Sequence, residues 1–305
     1  MDGVARIVLT LAACAILALL AAIFVAMYRD SRLSMETFGL GFLTNSHWNP
    51  VEGRENYGAL SSIFGTVVST LIAMLLAVPL SILIATFLVE LAPRWLSVPM
   101  GTAVELLAAV PSIIYGMFGL FILKPILAEH VEPWLKESWL GGTPFFQGPP
   151  LGLGMLNAGI ILAIMVLPFI TAITRDVFRS VPRLMREAAY GLGGTTWEVT
   201  RHVTLRYGRR GIVGACLLGL GRALGETMAV TYVIGNSNEI SLSLLKTSNT
   251  IASRMANEFM EATSRPLQLS ALIHLGFLLL VLSVLVQVLA QAWIAWSASR
   301  TEGRA

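Results

Sequence analysis

The chain has 305 residues, of which 55% are hydrophobic and 13% charged, with two cysteines and a formal net charge of +3. Soluble domains carry about 25% charged residues, so this deficit, spread over long apolar runs, excludes a soluble globular class and points to a polytopic membrane protein. Cys14 and Cys216 both lie inside apolar runs, which excludes a disulfide framework and a cysteine-based metal site.

A helix crossing the hydrocarbon core needs about 20 apolar residues. Six stretches meet that length, at 7–27, 60–89, 97–123, 151–174, 211–234 and 267–296. The first is longer than the apolar core of a signal peptide, about 7–15 residues, and reads as an uncleaved anchor. With the external loop behind it, it makes an N-terminal unit, residues 1–59. Residues 60–296 form the main membrane domain, and 297–305 a tail. Pro79, Pro111 and Pro168 fall inside the second, third and fourth spans. Membrane helices tolerate such prolines where neighbouring elements satisfy the freed carbonyls.

Between the fourth and fifth spans, residues 175–210 hold eight arginines against Asp176, Glu187 and Glu198. The external loops 28–59, 124–150 and 235–266 hold eight Lys or Arg over 91 residues. The excess of positive charge places 175–210 in the cytoplasm. Six spans then leave both termini cytoplasmic. Trp293 and Trp296 read as interfacial anchors at that side.

The 175–210 loop has internal order beyond its charge. Leu184, Ala188 and Leu192 recur at helical spacing, Gly193 and Gly194 interrupt, and Trp197, Val199, Val203 and Leu205 follow. Helix, glycine turn and second amphipathic segment predict a docking element for a cytoplasmic partner.

That stretch, EAAYGLGGTTWEVTRHVTL, resembles the EAA motif of ABC importer permeases, through Glu187, Ala188, Ala189, Gly193 and Leu205. Val203 stands for the usual isoleucine, and Arg206 replaces the usual proline. ELLAAVPSIIYGMFGL (105–120), GLGRALGETMAV (219–230) and TIASRMANEF (250–259) resemble the PstC-type permeases of bacterial phosphate importers, over about residues 60–296. The PstA-type sister permease, or a permease for another oxyanion, is the alternative. The resemblance implies an all-α type I importer permease in the cytoplasmic membrane, paired with a PstA-type sister. It also implies a cytoplasmic ATPase dimer that carries ATP and Mg, an external phosphate-binding protein, and alternating access. Glu187, Ala188, Ala189 and Gly193 would then contact the ATPase. The chain itself is expected to hold no cofactor or metal, to meet lipid, and not to bind nucleic acid.

Arg222 and Glu226 stand one helical turn apart in the otherwise apolar fifth span. Counted from Gly211, Arg222 is about 17 Å into its helix, near the middle of a core about 30 Å thick. A charge there costs between about 2.5 and 17 kcal/mol. The i, i+4 spacing puts both side chains on one face, where they can pair. One reading is a buried ion pair that fixes helix register. The other has Arg222 facing the substrate path, where its planar fork suits phosphate oxygens, and Glu226 holding it in place. The resemblance favours the second, because this Arg and Glu are transport-critical in the family. Gly214, Gly221 and Gly225 form a stripe expected to serve close helix packing.

Glu105 either caps a helix break near Pro111 or pairs with a neighbouring helix. The four histidines are scattered and receive no role. An intramembrane enzyme lacks support, since no G-x-S-x-G, H-E-x-x-H or paired aspartates occur within the spans. A secondary transporter would often show an internal repeat, and none is visible. No Walker A sequence is present, so any ATP hydrolysis belongs to another chain.

Overall fold

The first apolar stretch forms one helix, α1 (Asp2–Asp30), which turns directly into the short α2 (Arg32–Phe38). In this computed structural model the backbone is described from residue 2 to residue 302, and side chains from 4 to 292 except residue 140. A helical turn, α3 (Gly41–Thr44), leads to a two-stranded antiparallel hairpin, β1 (Trp48–Asn49) with β2 (Asn56–Tyr57).

The second stretch becomes α4 (Leu60–Thr86), extended by a π-helical turn over Phe87–Leu91. The third behaves differently. The expected 97–123 span is split at Ala109–Pro111 into α5 (Arg94–Ala108) and α6 (Ser112–Phe118). Proline disfavours helical geometry in the residue before it and has no N–H to continue the ladder. From Ser112 the chain runs through π-turns, α7 (Lys124–Ile126) and α8 (Glu132–Glu137) as one rod. The apolar helix of this region is therefore Ser112–Glu137, displaced toward the C-terminus from the expected span.

Then follow α9 (Met155–Arg179), α10 (Arg183–Gly191), α11 (Thr196–Val199), α12 (Leu205–Leu224) and α13 (Met228–Thr231). The last two helices are α14 (Ile251–Ala262) and α15 (Pro266–Glu302). Five described helices are long and apolar enough to cross a membrane: 4–30, 60–91, 112–137, 155–179 and 266–292. The expected fifth span, 211–234, is not among them, because its helix stops at Leu224 and restarts at Met228. The α15 backbone stays helical past 296 to Glu302. Trp293 and Trp296 lie outside the residues whose side chains are described.

The scaffold is the pairing of α4 with α9. The buried face of α4 is built from small residues, with Ser69, Ala73, Ala77, Ser81 and Ala85 at every fourth position. Small residues at that spacing let helices approach closely, which is the main route to helix association in lipid. Gly159 of α9 is part of the same contact: a Cβ there would lie 2.5 Å from Ile72. Ser69 returns its hydroxyl to the Gly65 carbonyl at 2.7 Å within the helix, whereas Ser81 donates across the contact to the Leu167 carbonyl of α9 at 3.0 Å. The main core gathers Ala73, Ala77, Ile161, Met165, Ile170, Ala223, Val230 and Val233 around that pair.

A second core, built on Phe42, Trp48, Tyr57, Ile251, Leu272 and Leu275, joins the hairpin region to α14 and α15. Arg254 runs through its polar edge. The side chain is 3% exposed. It donates to Ser62 Oγ at 3.0 Å and to Asn238 Oδ1, pairs with Glu258 at 3.4 Å, and lies 4.5 Å from the centroid of the Trp48 ring. Burial pulls its guanidinium pKa down to about 10. The TIASRMANEF stretch is thus an internal fastener.

Candidate functional site

Two helix breaks meet inside the main core. At the first, the Tyr115 hydroxyl donates to the Leu107 carbonyl at 2.8 Å, spanning the α5–α6 interruption and satisfying a carbonyl near the end of α5. At the second, α12 ends with Gly225, and the Glu226 and Thr227 backbone leads into α13. The breaks are in contact: a Cβ on Gly116 of α6 would sit 3.0 Å from the Ala229 backbone of α13. Irregular backbone at membrane depth is tolerated where it is buried in protein or lines a water-filled path.

Arg222 occupies the last turn of α12 and is half-buried. Its guanidinium carbon lies 5.3 Å from the centroid of the Phe169 ring on α9. Among the described residues, no carboxylate lies within 4.0 Å of it. Glu226 is beyond the helix end, where its Oε1 accepts the Ala229 N–H at 3.2 Å. The expected i, i+4 pairing is therefore not observed. That geometry requires an unbroken helix, and Gly225 ends the helix between the two residues. Glu226 instead satisfies one of the free N–H groups that every helix start presents.

The glycine stripe is also reassigned. A Cβ on Gly214 would meet nothing within 4 Å, and one on Gly225 only a carbonyl 3.7 Å away. Of the three, only Gly221 is close-packed, with Gln287 Nε2 at 2.8 Å. The tight approaches to α9 are made by Gly211, against Val177 at 2.6 Å, and Gly219, against Ile170 at 2.6 Å.

Glu105 pairs with a neighbouring helix. It accepts from Arg175, which stands near the end of α9, is 5% exposed and also pairs with Asp176 at 3.3 Å. The alternative role, capping the break near Pro111, is not seen: no described hydrogen bond joins Glu105 to that break.

The EAA-like segment folds as the residue pattern predicts. In α10, Glu187 and Ala188 are exposed and Ala189 is half-buried. Gly193 ends the helix at φ +86°, with its N–H on the Tyr190 carbonyl, and Gly194 bonds the Ala189 carbonyl. Glycine at this left-handed position closes a helix with little strain. Thr195 then caps α11 reciprocally with Glu198, whose carboxyl is held below its usual range first by the Thr195 backbone N–H and then by its hydroxyl. With Arg206 in place of proline, nothing stops the second helix. It passes through a π-turn at Thr200–Thr204 straight into α12. The outer surface presents Leu184, 77% exposed, together with Leu192 and Trp197.

Residues 58–295 match the family of binding-protein-dependent transport system inner membrane components. The phosphate transport system permease protein PstC of Pasteurella multocida is 50% identical over 94% of this chain and 89% of its own length. That of Xylella fastidiosa is 49% identical over 98% and 91%, and that of Mesorhizobium japonicum 51% over 95% and 89%. The chain belongs to the PstC family of permeases. Solved structures share the fold of this PstC-family chain. They include the MetNI methionine ABC transporter (TM-score 0.54, 17% identity, covering 78% of this chain and 93% of that one). An alginate ABC importer matches with a TM-score of 0.57 at 15% identity, covering 77% and 78%.

Two contacts of the PstC-family chain escaped sequence reasoning, Phe169 beneath Arg222 and a buried Glu90 facing the EAA-like segment, while for Glu105 the pairing was among the expectations and only its partner, Arg175, was not. The signal that could have found Glu90 is its place as an acidic residue at the end of an apolar span.

Proposed function

We propose that this chain is one of two permease subunits that carry inorganic phosphate across the bacterial cytoplasmic membrane, and that Arg222 contacts the anion on its way. The observation that carries the reading is a half-buried guanidinium beside two helix breaks with no acidic partner among the described residues. An arginine already paired with a carboxylate has its donor fork occupied. One stacked on an aromatic face keeps its N–H edge available for phosphate oxygens.

Glu226 supplies a nearby acceptor in the same break, suited to an anion that still carries a proton. A PstA-type sister, a cytoplasmic ATPase dimer and an external phosphate-binding protein complete the assembly in this reading. ATP and Mg belong to the ATPase, and the permease holds no cofactor. The α10–α11 turn, with Glu187, Ala188, Ala189 and Gly193, docks on the ATPase, which puts it in the cytoplasm; with the broken α12–α13 segment as a sixth crossing beside the five continuous ones, both termini lie there too. The exposed Leu184, Leu192 and Trp197 provide the apolar surface for docking.

The test is uptake by the complete complex in proteoliposomes with ATP inside and binding protein outside. Labelled phosphate should accumulate and labelled sulfate should not. Arg222→Gln should abolish accumulation with all subunits still assembled. Normal uptake by that assembled variant sinks the path assignment.

A further inference from the structure

The α10 helix is supported in an unusual way. None of its nine residues is buried. Its clearest attachment to the membrane body is one side chain, Arg186, which is 19% exposed and reaches inward. There it pairs at 3.4 Å with Glu90, which is 5% exposed on the π-turn that prolongs α4. The same guanidinium group donates to the Phe178 carbonyl near the end of α9. Glu90 Oε1 also accepts the Thr204 hydroxyl at 2.8 Å, from the π-turn that leads into α12. One ion pair and the two hydrogen bonds on its members thus join the EAA-like helix to α4, to α9 and to the π-turn before α12.

We propose that the Arg186–Glu90 pair is the strut that transmits displacement of the EAA-like helix to α4, and that both are positioning residues for transport. The inference rests on the docking reading given above. A helix with no buried face has little packing through which to push or pull. A desolvated ion pair resists separation, because parting it leaves an uncompensated buried charge. Glu90 continues α4 without a break, and α4 is packed along α9, so movement at Glu90 displaces the scaffold pair as a unit. Thr204 and the Phe178 carbonyl hold the two ends of the strut against rotation.

The experiment uses the full complex in proteoliposomes and measures phosphate imported per ATP hydrolysed. Glu90→Gln retains an acceptor for Thr204, and Arg186→Gln removes the charge from the other side. Each is expected to keep the ATPase bound and hydrolysing while phosphate per ATP falls at least about fivefold, the lower end of typical coupling between sites. The exchange of both charges, Glu90→Arg with Arg186→Glu, should recover most of the loss. An unchanged ratio in both single variants overturns the proposal. So does an exchanged pair that fails to assemble or assembles without recovering the ratio. Leu184→Asp, on the exposed face of α10, tests docking separately and should release the ATPase. If the ATPase stays bound there, the docking reading fails, whatever the ratio shows for the strut.

Discussion

The Arg222 guanidinium is held over the Phe169 ring, 5.3 Å from its centroid, and not by Glu226, four residues further on. A cation over an aromatic face gains about 0.5–2 kcal/mol, the larger value when desolvated. Phe169→Leu should therefore lower phosphate uptake with assembly intact, and Phe169→Tyr should retain most of it. Equal uptake by the Leu and Tyr variants would show that the ring is only filler. Arg222→Gln strips no described carboxylate of its partner, so assembly should remain near normal while uptake is lost.

Glu226 has two separable properties, a hydrogen-bond acceptor for the Ala229 N–H and a charge. Glu226→Gln keeps the first and removes the second. Uptake is expected to fall although the complex assembles. Glu226→Ala removes both and should in addition weaken α13 by about 0.5–2 kcal/mol, the range for losing a helix cap. If the Gln variant transports normally, the residue serves only the helix start.

Gly193 adopts φ +86° with nothing within 4 Å of where a Cβ would stand. Space is therefore not limiting, and the cost of a side chain is backbone strain, about 1–2 kcal/mol for an ordinary residue in the left-handed region. Gly193→Val should loosen the α10–α11 turn and uncouple hydrolysis from uptake. Gly193→Asn, which tolerates that conformation, should stay close to normal. ATPase stimulation and uptake measured side by side check both, and equal behaviour of Val and Asn counts against the backbone explanation.

Gly219 and Gly214 lie five residues apart on α12 and should respond differently. A Cβ at Gly219 would stand 2.6 Å from Ile170, whereas at Gly214 it would meet nothing within 4 Å. Overpacking of a fitted contact costs about 1–3 kcal/mol, so Gly219→Val should lower the melting temperature of the purified chain. Gly214→Ala should leave it unchanged. The measurement is thermal unfolding in detergent, and a matched loss at both positions would falsify the packing assignment.

Much of the architecture was legible in the residues. Apolar length marks α1, α4, α9 and α15, because burying backbone polar groups in lipid demands continuous helices of that length. Spacing and glycine placement marked the α10–α11 turn, because helix ends are decided by a few local backbone conformations. The resemblance carried the family. Pattern alone drew 97–123 and 211–234 as continuous spans, offering a break near Pro111 only as one alternative for Glu105 and none at Leu224–Gly225, since hydropathy is blind to backbone conformation. Nor could spacing say which carboxylate an arginine meets. Arg222 has Glu226 at the right interval and finds Phe169 instead, while Arg186 reaches Glu90 and Arg175 reaches Glu105. Those partners are 53, 96 and 70 positions away in the chain. What brings them together is the close packing of α4, α5 and α12 against α9, through small residues such as Ala73, Gly101 and Gly219, and that contact exists only once the helices are assembled.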